Sequence, residues 1–132
     1  YFFLQNDCVR FDGLVICGSR GWVCPGSAEY TEADKKIYER EGERFRLAFQ
    51  SVAKQRREGD KLICMIHYPP FNGKKEPTLF TDLFEKNGAD RVVYGHLHAN
   101  MGSYSPRMEM GGVEYVLTSC DLLGFRLVQI CE

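Results

Sequence analysis

Little in this sequence points to a membrane, a polyanion or a zinc ribbon. No apolar run approaches the roughly 18 residues that a membrane-spanning helix needs. Seventeen basic side chains against 18 acidic ones leave a formal net charge of −1, so no global field draws the chain to nucleic acid or to an anionic lipid surface. There is no Cys-x-x-Cys pair, which argues against a structural zinc ribbon. The opening Tyr1-Phe2-Phe3-Leu4 lacks the basic residues, long apolar stretch and small-residue cleavage site of a secretory leader. It reads as an internal strand, so the expectation is that either something was cut away or the chain is a piece of a longer reading frame. With 13 glycines and 5 prolines in 132 residues, collagen-like and low-complexity chains are excluded. No internal repeat or linker is present.

What is present suits one globular domain. An apolar fraction of 44% over 132 residues is enough to bury a real core. Six cysteines occupy positions 8, 17, 24, 64, 120 and 131. Cys17, Cys64 and Cys131 lie in apolar runs, such as Leu62-Ile63-Cys64-Met65-Ile66, where free cysteine behaves as a small buried hydrophobe. Reduced thiols, and hence a cytoplasmic setting, are expected.

Short β-rich runs at 2–4, 8–11 and 14–18 open the chain, with Asp12-Gly13 as a hairpin turn between the last two. Residues 19–30 read as a glycine-rich loop. Thr31 and Asp34 then announce a helix running to about Glu58, with an apolar stripe of Ala33, Ile37, Phe45, Ala48, Phe49, Val52 and Ala53. Gly42 weakens that helix by about 1 kcal/mol relative to alanine. Lys61–Ile66 reads as a strand buried on both faces. A shorter helix over 78–86 turns Leu79 and Leu83 inward with Phe80 and Phe84, and Arg91–Tyr94 is a further strand. Strands at 104–109, 113–118 and 125–131 follow, with Gly111-Gly112 as a turn. The class is α/β.

Only three histidines exist, His67, His96 and His98, and each follows directly on one of these strands. Ligands of open α/β sheets bind outside the strand carboxyl ends. Side chains at i and i+2 of an extended chain share a side, so His96 and His98 can approach one site. Gly95 just before them permits a close backbone approach, and neutral imidazole is a common metal ligand. Three histidines at strand ends and none elsewhere favour a metal site. Spacing alone does not name a reaction.

Sequence motifs go further. Gly95-His96-Leu97-His98 resembles the GHxH motif of the calcineurin-like metallophosphoesterases, and His67-Tyr68-Pro69-Pro70-Phe71 resembles the single-histidine block that precedes it. Gly18-Ser19-Arg20-Gly21-Trp22 is similar to a segment of one bacterial branch of predicted phosphohydrolases in that family. The resemblance covers most of residues 7–130. It implies a β-sandwich flanked by helices (αββα) and a dinuclear centre of two divalent ions (Mn, Fe or Zn) acting on a phosphate ester substrate. It assigns His67 and His96 to one ion and His98 to the other.

The earlier family blocks, DxH, GDxxD and GNH, have no counterpart before Gly18. On this reading residues 1–132 form a single partial domain, the C-terminal portion of a metallophosphoesterase domain, incomplete at the N-terminus. Intact, it would be a phosphomonoesterase or phosphodiesterase; alone, it is expected to bind at most one ion weakly and to hydrolyse little. Its exposed sheet edges would then invite self-association. Two alternatives stay open: a mononuclear zinc hydrolase built on the same three histidines, and a non-catalytic phosphoesterase-like binding module.

Other polar residues carry less. Asn72, Lys74 and Lys75 are candidates to reach a substrate phosphate, against the plainer reading of a solvated loop. Arg20 and Trp22 either line a pocket or pack in a turn. Cys120-Asp121 follows a strand, with no role assigned. Lys54, Arg56 and Arg57 close the long helix and complement its dipole rather than forming a nucleic-acid patch.

Overall fold

The computed structural model describes residues 7–96, 107–118 and 130. Six strands form one mixed sheet: β1 (Asp7–Phe11), β2 (Leu14–Ser19), β3 (Lys61–Ile66), β4 (Arg91–Tyr94), β5 (Arg107–Met110) and β6 (Val113–Leu117). Their spatial order is β1-β2-β3-β4-β6-β5. Helix α1 (Asp34–Gln55) connects β2 to β3, and α2 (Leu79–Lys86) connects β3 to β4. Strands β2, β3, β4 and β6 run parallel, while β1 and β5 pair antiparallel at the two edges of this sheet. This is the α/β layering expected from the sequence, a sheet flanked by helices. No helix of the described residues is long and apolar enough to cross a membrane. The expected strands at 2–4 and 125–131 lie outside the described residues, apart from Ile130.

The hairpin β1–β2 turns at Asp12 and Gly13, both with positive φ, a left-handed pair that Asp-Gly adopts readily. Alternation then sorts the side chains of the sheet. Val15, Cys17, Leu62, Cys64, Ile66, Val92, Tyr94, Val113, Tyr115 and Leu117 join the helices in one core. The intervening Ile63, Val93 and Val116 are buried on the other face, and Met65 there is 46% exposed. A sheet apolar on both faces is what a layered sandwich requires.

Helix α1 buries Tyr38, Glu41, Gly42, Phe45, Ala48, Phe49 and Val52. The expected stripe was partly misplaced: Ala33 and Ala53 are exposed and Ile37 is half-buried, because the face that meets the sheet is centred on Phe45. Gly42 has a packing reason, since a Cβ there would come within 3.3 Å of Leu79 Cδ1. The helix also ends earlier than expected, with Arg56 as its C-cap. That guanidinium does more than complement its own helix. It donates to the Asn87 and Gly88 carbonyls beyond α2, to the Asp60 carbonyl and to the Asp90 carboxylate.

Helix α2 starts on a capping box in which Thr78 accepts from the Thr81 amide and the Thr81 hydroxyl accepts from the Thr78 amide. The Tyr38 hydroxyl of α1 accepts from the Leu79 amide at 2.7 Å. Phe80, Thr81 and Phe84 turn inward, whereas Leu79 is 41% exposed. Leu79 was expected inside, but Phe80, Thr81 and Phe84 form the inward face of this helix. The four cysteines among the described residues are all free and buried. Cys8, Cys17 and Cys64 sit opposite one another across β1, β2 and β3, packing as small apolar side chains.

Candidate functional site

Register builds the site. Ser19 pairs with Ile66 and Ile66 with Tyr94, while Tyr94 pairs with Leu117, so four parallel strands end in one row. The chain continues that row by hydrogen bonds rather than by further strand. His67 and Tyr68 amides both donate to the Arg20 carbonyl at 3.1 Å, and the Gly95 amide donates to the His67 carbonyl at 3.1 Å. Beside them the Thr118 amide and hydroxyl both donate to the Tyr94 carbonyl, at 2.8 and 3.0 Å.

Two of the three candidate histidines meet on this rim. His67 Nε2 and His96 Nδ1 are 3.1 Å apart, with ring centroids at 5.0 Å. His67 is exposed and His96 half-buried. His96 adopts φ +69°, a left-handed conformation uncommon for a side-chain-bearing residue. Tyr68 backs the pair, its ring 4.2 Å from that of His96 and 5.2 Å from that of His67. Trp22 packs 5.1 Å from Tyr68, and the Arg20 guanidinium lies 4.7 Å over the Trp22 ring. The third candidate, His98, lies outside the described residues, as do Cys120 and Asp121.

The imidazole pair can be tested against a metal on its own geometry. Two nitrogens each about 2.1 Å from one ion stand roughly 3.0–3.4 Å apart, from right-angled to tetrahedral arrangements. The 3.1 Å separation falls in that range, and it is equally the length of a hydrogen bond between the two rings, so the distance is compatible with two adjacent ligand positions. Among the described residues, no group of three or more His, Cys, Asp or Glu side chains gathers as a metal-holding cluster. Two imidazoles without a carboxylate supply no charge to offset a dication, and hard ions such as Mn²⁺ favour oxygen donors.

A cavity of about 250 Å³ opens beside the pair, lined by His96, Tyr68, Phe71, Gly26, Ser27 and Lys74 among others. Of the loop candidates, the exposed Lys74 is the one on the wall of this cavity. Asn72 does not: it is 3% exposed, donating to the Pro25 carbonyl and Glu76 and accepting from the Lys74 and Glu76 amides. Neither a phosphate contact nor a solvated loop describes it; it is the internal brace of the 72–76 turn. Lys75 lies 4.4 Å over the Phe71 ring, and burial holds its ammonium below the usual lysine range. Trp22 packs in the turn, its indole donating to Asp34 at 3.0 Å. That bond, with those from Thr31, holds the Asp34 carboxyl below the usual carboxylate range.

Cys24, also on the cavity wall, is buried. Burial pushes its thiol up to about 12, and its sulfur contacts the Trp22 and Pro69 carbonyls. One residue of the rim escaped the sequence altogether. Glu41 lies wholly buried in α1 and accepts from the Ser19 hydroxyl at 3.3 Å and the Gly21 amide at 3.1 Å. Its signal was a lone acid on the inner face of an amphipathic helix, which reads as surface unless the face is placed correctly.

The calcineurin-like phosphoesterase family model matches residues 3–100, about three quarters of the chain, and the match includes both rim histidines. No curated protein and no solved structure matches the chain. With the helix-flanked sheet and the histidine-bearing strand ends in place, the family match settles the membership: this chain belongs to the calcineurin-like phosphoesterase family, hydrolases of phosphoric esters that typically use divalent metals.

Proposed function

We propose that the rim at the ends of β3 and β4 is part of a metal-dependent phosphoesterase centre, with His67 and His96 as ligands and His98 completing the histidine set. The observation that carries this reading is the 3.1 Å approach of His67 Nε2 to His96 Nδ1. Divalent ions at such a centre polarise phosphoryl oxygens and lower the pKa of a bound water. The chain's own residues do the rest. His67 and His96 hold their rings against Tyr68, the Gly95–His67 bond fixes their backbones, and Lys74 offers a cation to an ester's phosphate oxygens. The cavity beside His96 would take a small organic group of the ester.

The donor set also supports a centre that is incomplete within this chain. The bridging aspartate, the asparagine and the extra histidine of the family's earlier blocks have no counterpart in this sequence. We therefore infer weak binding of at most one ion and little hydrolysis by residues 1–132. Equilibrium dialysis with Mn²⁺ or Zn²⁺, followed by elemental analysis, tests both statements. Wild type should bind no more than one ion per chain, and His67→Ala and His96→Ala should each weaken binding at least tenfold, on the order expected for removing a ligand or its support. Undiminished binding in both variants would overturn the ligand assignment. Hydrolysis of p-nitrophenyl phosphate by the purified wild-type chain, lost in His96→Ala, would overturn the incompleteness.

A further inference from the structure

Glu41 is 0% exposed, and a carboxylate removed from water is costly unless charge and hydrogen bonds compensate. Its Oε1 accepts from Ser19 Oγ at 3.3 Å and from the Gly21 amide at 3.1 Å. Its Oε2 lies 3.2 Å from Arg44 Nε and 3.7 Å from Arg20 Nη2, close enough for ion pairing but not aligned as a hydrogen bond. Anchoring α1 to the sheet does not require such a group, because Phe45, Ala48, Phe49 and Val52 already do so with apolar surface.

What Glu41 adds lies at the strand end it touches. Ser19 and Gly21 flank Arg20, and the Arg20 carbonyl accepts the amides of His67 and Tyr68. The His67 carbonyl in turn accepts the Gly95 amide, one residue before His96. A series of hydrogen bonds thus leads from a buried carboxylate to the backbones of both imidazoles. The turn it grips is tightly defined: Gly21 has φ +71°, and a Cβ there would meet Ile66 Cδ1 and Cγ1 at 2.5 Å. Ile66 is itself the residue preceding His67.

We propose that Glu41 is a positioning residue for the His67–His96 pair, acting through the Ser19–Gly21 turn. This rests on the reading of that pair as metal ligands and extends it to the helix behind the sheet. Glutamine at position 41 keeps an acceptor oxygen for Ser19 and Gly21, whereas methionine fills the space without one. The test is imidazole-nitrogen NMR of the full, metal-free chain in wild type, Glu41→Gln and Glu41→Met, with the exposed Glu43→Gln on the same helix as control.

Glutamine should retain the wild-type His67 and His96 shifts, and methionine should move both. Mn²⁺ affinity should fall about tenfold in the methionine variant alone. Unmoved imidazole signals in a folded Glu41→Met would overturn the proposal, as would a glutamine variant displaced as far as the methionine one. If Glu41→Met does not fold, Ser19→Ala removes one donor to Oε1 and is judged by the same signals: movement supports the proposal, and none overturns it. Absence of Mn²⁺ binding in the wild type would instead remove the metal reading, and the metal-free NMR would still decide the role of Glu41.

Discussion

Between the helices and the sheet, Phe45, Phe49, Phe80 and Phe84 meet at ring separations of 5.4–6.3 Å, and Phe84 and Phe71 carry the contacts on to Tyr115. One residue past the end of β3 and two past the end of β4, the same chain presents two imidazoles, one exposed and one half-buried on a left-handed backbone. The core gains stability from apolar area and aromatic packing, each buried ring contributing about 2–3 kcal/mol and each good pair about 1 kcal/mol more. The rim gains little of this. It keeps its shape because strand register delivers four chain ends to one row and hydrogen bonds extend that row. The difference predicts that core stability and rim geometry are separable: the hydrogen-bonded row should persist while the core is weakened.

The sharpest way to break that separation is to attack its strong side. Phe45 is wholly buried and touches Phe49, Phe80 and Phe84. Phe45→Ala should cost about 3–5 kcal/mol in urea unfolding, while the folded fraction keeps the wild-type His67 and His96 imidazole signals. A loss below about 1 kcal/mol would mean that the aromatic cluster is not the seat of stability. Displaced imidazole signals in folded protein would mean that core and rim are one unit.

A second test sits where the two regions touch. Cys24 is buried at the cavity wall, its thiol pushed up to about 12 by burial against a lowering hydrogen bond from Thr78. Burial likewise raises Cys8 to about 11 and Tyr38 to about 12. A folded-state pKa above the unfolded one stabilises the protein fully below the unfolded value and loses that contribution as pH climbs toward the folded value. For Cys24 the window runs from about 9 to about 12. The thermal midpoint should fall across that window, and Cys24→Ala should make the fall shallower by about 5 °C. An identical alkaline limb in Cys24→Ala would show that the thiol is open to water in the folded chain.

Much of this was legible in the sequence, for identifiable reasons. Strand and helix placement followed from short apolar runs and punctuation such as Asp12-Gly13, Gly59 and Asn87-Gly88, because turn chemistry is local. The meeting of His67 and His96 follows from their positions just after predicted strands, because parallel strands end together. The misreadings concern facing direction. Leu79 lies off an inward face formed by Phe80, Thr81 and Phe84, and Ala33 and Ala53 fall off a helix face whose centre is set by the sheet. Asn72 reads from the sequence as a loop residue facing substrate or water, but its amide is consumed by the turn that contains it. Glu41 was invisible because nothing local distinguishes a buried acid from an exposed one; only the tertiary placement of Ser19 and Gly21 does.

The smallest effect separates strain from chemistry at a single residue. His96 has φ +69°, where a residue bearing a Cβ is disfavoured by roughly 1–2 kcal/mol and glycine is not. If the rim holds His96 in that conformation for the sake of its ring, removing the ring should leave two distinguishable backbones. His96→Ala keeps the strained Cβ and loses the Tyr68 and His67 ring contacts. His96→Gly loses the same contacts but relaxes the strain, although its freer unfolded chain offsets part of the gain. The glycine variant should therefore be the more stable of the two by about 0.5–1 kcal/mol in urea unfolding, with both equally weak in Mn²⁺ binding. An alanine variant as stable as the glycine one would mean that the left-handed backbone is imposed by the imidazole itself and relaxes when the ring is gone.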